Sequence, residues 1–133
     1  MNLIYVLNKY LIFALLITIV GFTLDGTVKI IDFGLARILE NAKPDSDDVY
    51  EMSGETGSLR YMAPEVAAGM FYNHKADVYS FGMILWEILH CVKPFAGMDR
   101  DMFYDRVVHL GERPEMGKKV PPELAFLIQH CWR

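Results

Sequence analysis

A mainly helical domain with short strands is the fold class that this chain of 133 residues predicts, and three stretches predict it. Val78 to Leu89 is an almost unbroken apolar run, interrupted only by Ser80, Gly82 and Glu87. It shows no polar stripe, so it reads as a helix in the middle of a bundle, apolar on nearly every face. Pro121-Pro122-Glu123 opens a second helix, in which Leu124, Leu127, Ile128 and Cys131 recur at the i, i+3, i+4, i+7 spacing of one core face. Ahead of both, Asp25-Gly26 marks a turn and Val28-Lys29-Ile30-Ile31 a β-branched strand that runs directly into Asp32.

In chain order, Met1 to Leu24 stands apart from the rest and is treated as a separate hydrophobic segment, 1–24, ahead of a folded part, 25–133. Lys9 is its only charge. The uncharged stretch from Tyr10 to Leu24 falls short of the roughly 18 to 20 residues wanted for a spanning helix. Snorkelling of Lys9 would lengthen the candidate, so residues 3–24 stand as one candidate membrane anchor. A secretory signal is weakened by the late position of Lys9 and by the lack of a small-residue cleavage site. A buried helix or strand pair is the third reading, favoured by Ile17, Ile19 and Val20.

Beyond the strand, Asn41 to Gly57 turns polar and reads as a surface loop with the hydroxyls Ser46, Tyr50, Ser53 and Thr56. Pro64 suits the first turn of a short helix that Gly69 stops. Asp99 can cap a helix through Met102, Phe103, Val107 and Val108, ended by Gly111. A net charge of −4 supplies no basic field for nucleic acid. Cys91 and Cys131 are too few and too distant for a disulfide framework or a zinc site, and the histidines are scattered, which fits a reducing, cytoplasmic compartment.

Three runs follow one another in a telling order: Asp32-Phe33-Gly34, with Leu35-Ala36-Arg37 behind it, then Ala63-Pro64-Glu65, then Asp77-Val78-Tyr79-Ser80-Phe81-Gly82. Together they resemble the second half of a protein kinase catalytic domain, most closely the tyrosine-kinase-like group of serine/threonine kinases. The resemblance implies a kinase C-lobe, a helical bundle around a central buried helix with the upper lobe absent. It implies ATP-dependent phosphorylation of protein serine or threonine in signal transduction. Asp32 would bind the magnesium that carries the ATP phosphates, and Gly34 would let the loop pivot. Ser58, Leu59, Arg60 and Tyr61 would line the substrate peptide, with the hydroxyl at Ser58 tilting specificity toward serine and threonine. Glu65 and Asp77 would be structural, and Ser53 and Thr56 would be phosphorylation sites.

Much of the expected equipment is missing. The chain contains no glycine-rich loop, no strand lysine paired with the phosphates and no His-Arg-Asp triplet. The resemblance puts a catalytic Asp eighteen residues before Asp32 and a metal-binding Asn thirteen before it, and those positions are Ala14 and Ile19. The arginine that holds the residue equivalent to Glu65 lies beyond the Cys-Trp pair, and Arg133, directly after Trp132, does not match it. The chain by itself is therefore expected to be catalytically incompetent, with weak or absent Mg-ATP binding. Its partners would be protein substrates and not nucleic acid. The alternative is a non-catalytic kinase-like interaction module, membrane-anchored or not, that docks proteins around Phe95 to Val108.

Overall fold

The computed structural model describes residues 10–12, 20–31, 36–38, 59–70, 72 and 75–132. Among these residues four short strands come first: β1 (Tyr10–Ile12), β2 (Val20–Phe22), β3 (Val28–Ile30) and β4 (Ala36–Ile38). They form two antiparallel ladders, β2 on β3 with Gly21 opposite Lys29, and β1 on β4 with Leu11 opposite Arg37. In chain order the β2–β3 ladder is nested between the two strands of the β1–β4 ladder. Its turn is built as expected. Gly26 takes φ 82, a conformation open to glycine at no steric cost. The Asp25 carboxylate accepts a hydrogen bond from the Thr23 hydroxyl and another from Thr27 N–H at 3.1 Å. These bonds favour the ionised form and hold the carboxyl down at about 2.

Two strands lie in the hydrophobic segment, β1 and β2, and each pairs with a strand beyond residue 24 and not with the other. No helix among the described residues is long and apolar enough to cross a membrane. The spanning-helix reading of residues 3–24 therefore finds no support.

Among the described residues four helices follow: α1 (Pro64–Ala67), α2 (Lys75–His90), α3 (Arg100–Phe103), which continues as a π-helix over Tyr104–His109, and α4 (Pro122–Cys131). Local signals set most of their ends. Pro64 occupies the first turn of α1, and Gly69 takes φ 64 just beyond it. The Asp99 carboxylate accepts from Met102 N–H at 2.8 Å and caps α3. Gly111 takes φ 69, and Glu112 N–H closes back on the Arg106 carbonyl at 2.8 Å.

The core gathers on α2. Ala76, Tyr79, Ser80, Gly82, Met83, Ile84 and Trp86 are buried along it. α4 crosses at Gly82, where a Cβ would stand 2.6 Å from the Cys131 Cβ and 3.0 Å from Trp132 Nε1. Glycine costs about 1 kcal/mol of helix propensity relative to alanine, and here it buys the close approach of two helices. Trp86 is buried, donates through Nε1 to the Glu115 carbonyl at 3.0 Å, and stacks on His90 with ring centroids 4.1 Å apart. His90 accepts the Gly117 N–H on Nε2 at 2.8 Å, which leaves Nδ1 to donate to the Trp86 carbonyl at 2.7 Å.

Two expectations change. α2 is not enclosed on every face, because Val78, Phe81 and Ile88 are 38%, 46% and 54% exposed. Its described partners, residues 59–63, the 115–117 loop and α4, cover the side that carries Tyr79, Met83 and Trp86. In α4, Ile128 and Cys131 are buried as the spacing predicts, but Leu127 is exposed at the edge of the contact.

Two predictions follow from this core. Trp86→Ala removes a large buried side chain together with its hydrogen bond, so denaturant unfolding should show a loss of about 3 to 5 kcal/mol. An unchanged midpoint and slope would remove Trp86 from the core. Tyr79 is buried, and burial comes first among the causes that push its hydroxyl up to about 12; nearby Arg113 opposes the shift and Glu65 adds to it. The folded pKa lies above the unfolded value of about 10, so this stability is complete below pH 10 and is lost as pH rises toward 12. Two pH units correspond to about 3 kcal/mol, so stability measured across that window should fall, and Tyr79→Phe should flatten the fall. An equally steep fall in Tyr79→Phe would assign the alkaline transition elsewhere.

Candidate functional site

The described part of the expected substrate side is Leu59 to Ala63, and α2 holds it in place. Ser80, buried in the helix, donates to the Tyr61 carbonyl at 2.8 Å, with the Ala76 carbonyl at 3.1 Å as its second neighbour. Two turns along the same face, Glu87 accepts the Tyr61 hydroxyl at 2.5 Å. Burial first, and then this bond to a carboxylate, raise the Tyr61 hydroxyl far above its ordinary range. Tyr61 is thus fixed through its backbone and through its ring at once.

Arg60 fastens the same segment in another direction. Its Nη1 donates to the carbonyls of Pro94 and Phe95 at 3.0 and 3.3 Å. Phe95 carries φ 52, a left-handed conformation uncommon for an aromatic residue, and packs edge-on to Phe103 with centroids 5.5 Å apart. A shallow pocket lies between Leu59–Arg60 and Phe95–Phe103. Leu59 and Tyr61 are only 9% and 5% exposed. Tyr61 therefore acts by positioning the segment, while the half-buried Arg60 is the side chain nearest to solvent.

Glu65 lies in the first turn of α1, half-buried, and forms no ion pair among the described residues. It and Arg113 both act electrostatically on Tyr79. Arg113 sets its guanidinium 5.1 Å from the centre of the Tyr79 ring and donates to the Glu112 carbonyl at 2.9 Å. Tyr104 ties α1 to the π-helix through a 2.9 Å bond to the Ala67 carbonyl. Asp77 occupies the first turn of α2. Asp32, Gly34, Ser53, Thr56 and Ser58 lie outside the described residues, as do Ala14, Ile19 and Arg133.

Sequence reasoning passed over four participants. Ser80 and Glu87 are the two side chains with polar groups to spare in the Val78–Leu89 run, and their i, i+7 spacing on one helix face was the signal available. Gly82 could be found from a glycine inside a strong helix pattern. Arg113 had no such signal, since its role depends on what the loop brings beside Tyr79.

The family model described as protein tyrosine and serine/threonine kinase matches residues 15–133. The serine/threonine-protein kinase VIK of Arabidopsis thaliana is 44% identical over 108 residues, covering 79% of this chain and 24% of that protein. The dual specificity protein kinase shkD of Dictyostelium discoideum is 42% identical over 106 residues, covering 79% of this chain and 13% of that protein. The serine/threonine/tyrosine-protein kinase HT1 of Arabidopsis thaliana is 37% identical over 105 residues, covering 79% of this chain and 25% of that protein. The chain spans a quarter or less of the length of these relatives. With the match running over most of its length, the chain belongs to the protein tyrosine and serine/threonine kinase family.

Proposed function

We propose that residues 25–133 form the substrate-side half of a serine/threonine protein kinase domain, and that residues 1–133 alone do not transfer phosphate. The observation that supports this reading is the double fastening of Tyr61 by Ser80 and Glu87, with Arg60 latched to Pro94 and Phe95. A segment pinned in this way presents a fixed surface to a peptide, and positioning is most of what a kinase contributes to phosphoryl transfer. In this reading Ser58, Leu59, Arg60 and Tyr61 form the peptide side, Glu65 and Asp77 are structural, and Ser53 and Thr56 take regulatory phosphate.

The donor set does not fit a catalytically bound Mg-ATP. Magnesium wants oxygen ligands in octahedral array, and the family pattern places hydrocarbon at Ile19 where a ligand is needed. Ala14 cannot accept a substrate proton. Asp32 and Gly34 alone leave one carboxylate and one pivot, too few groups for phosphoryl transfer. Free Cys91 and Cys131 suit a reducing cytoplasmic setting. Tyr10–Ile12 and Val20–Phe22 are strands, which does not support a membrane-spanning helix through residues 3–24. A second reading, a kinase-like docking module without chemistry, draws on the pocket beside Arg60.

Titration calorimetry of Mg-ATP into residues 1–133 tests the catalytic half of this proposal. The expected result is no binding tighter than about 1 mM. A micromolar dissociation constant, about −8 kcal/mol, would show that the nucleotide site is intact and overturn the reading.

A further inference from the structure

We propose that His90 is an acid-operated latch on the 111–121 loop: the neutral ring holds Gly117 against α2, and protonation of Nε2 releases it.

Both ring nitrogens are engaged, and their partners fix which one carries the hydrogen. The Trp86 carbonyl, 2.7 Å from Nδ1, can only accept, so Nδ1 is the protonated nitrogen. Gly117 N–H, 2.8 Å from Nε2, can only donate, so Nε2 is bare. A second proton would set two donors against each other at that distance, which leaves no room for a water between them. Flipping the ring gives no relief, because both nitrogens of an imidazolium donate. The loop backbone also sits close against the ring, since a Cβ at position 117 would stand 3.0 Å from Nε2 and 3.2 Å from Cδ2. The stack on Trp86, with centroids 4.1 Å apart, steadies the ring, so the loop is the part that must move. A second bond joins the same stretch to α2, from Trp86 Nε1 to the Glu115 carbonyl at 3.0 Å, and loss of the first loosens it. Upstream, Arg113 stays fastened to the Glu112 carbonyl at 2.9 Å and over the Tyr79 ring, which confines the release to the residues after it.

His130 supplies an internal control. It stacks on Phe126, four residues earlier, and bonds through Nδ1 to the Phe126 carbonyl at 2.8 Å, as His90 does with Trp86. His130 is exposed and its Nε2 has no partner among the described residues, so it can take a proton without displacing anything. None of the charged groups around His90 forms an ion pair with it among the described residues. Glu87 on α2 accepts the Tyr61 hydroxyl, and Glu115 on the loop is exposed. Cys91 and Lys93 follow the ring in the chain, and Lys118 and Lys119 follow Gly117. The released loop therefore binds one proton more than the latched one. By linkage the released form gains as pH falls, by up to about tenfold per pH unit.

The test is an NMR titration of residues 1–133 from about pH 8 to about pH 5, the span in which histidine side chains change charge. At the alkaline end the ring nitrogen shifts should place the His90 hydrogen on Nδ1. As His90 takes up its second proton, the Overhauser contact between Gly117 and the ring should be lost. The Gly117 N–H and Trp86 Nε1–H resonances should shift with the same midpoint, while those of the buried Met83 and Val107 stay in place. His90→Gln offers an amide oxygen that accepts the Gly117 N–H and does not titrate, so both shifts should disappear. His130→Gln should leave both unchanged. A hydrogen on Nε2 at the alkaline end, a contact that survives protonation, or shifts retained in His90→Gln would each overturn the latch. Loss of the Met83 and Val107 resonances at the same midpoint would overturn it too, since the core and not the loop would then be opening. If His90→Gln does not fold, the tautomer and the Gly117 contact in the unaltered chain decide.

Discussion

Tyr61 is held to α2 at two points, and the arrangement of the helical half depends on that pairing. Ser80 takes its carbonyl and Glu87 takes its hydroxyl, so one residue of the peptide-side segment copies two turns of the helix. A typical buried hydrogen bond contributes about 1 kcal/mol net, and a bond to a charged acceptor somewhat more. The cost of leaving either partner unsatisfied inside the protein is larger, which makes the register specific. The same helix receives α4 at Gly82 and the 115–117 loop at Trp86 and His90. Site and core therefore share one support, and a substitution in either is felt by the other.

The polar groups around Tyr79 are less completely served. The Tyr79 hydroxyl, Arg113 Nε and Trp132 Nε1 are buried without a hydrogen-bond partner among the described residues. Each lost bond carries a desolvation penalty of about 1 to 3 kcal/mol. Arg113 recovers part of this by lying over the Tyr79 ring and by donating to the Glu112 carbonyl. Glu65 adds a half-buried negative charge without an ion pair among the described residues. The exposed salt bridge of Arg106 with Glu112, at 2.7 Å, lies outside this cluster and adds little to stability.

Much of the helical architecture was legible because its signals are local. Pro64, Gly69, Asp99, Gly111 and Pro122 each act within a turn of their own position, and each ends or starts an element where its chemistry predicts. The Asp25-Gly26 turn is legible for the same reason. Pairing across long separations is different. An apolar stretch such as the one ahead of Asp25 reads equally as helix, strand or anchor until its partner is known, and its described part Val20–Phe22 finds that partner in β3. The open side of α2 was hidden too, because an apolar residue shows what burial would gain and not which neighbour supplies it. Of the site, the positions of Leu59 to Tyr61 could be read, but not that Tyr61 turns inward.

The Gly117 amide has a property that its neighbours in the 111–121 loop lack. Its hydrogen is held by an imidazole nitrogen instead of a backbone carbonyl, so its shielding from solvent lasts only while the His90 ring stays stacked on Trp86. Hydrogen–deuterium exchange at this one amide thus reports the lifting of a side chain, whereas exchange at the amides of α2 reports the opening of the helix itself. The difference between the two rates measures how far the loop detaches from its support before the core gives way.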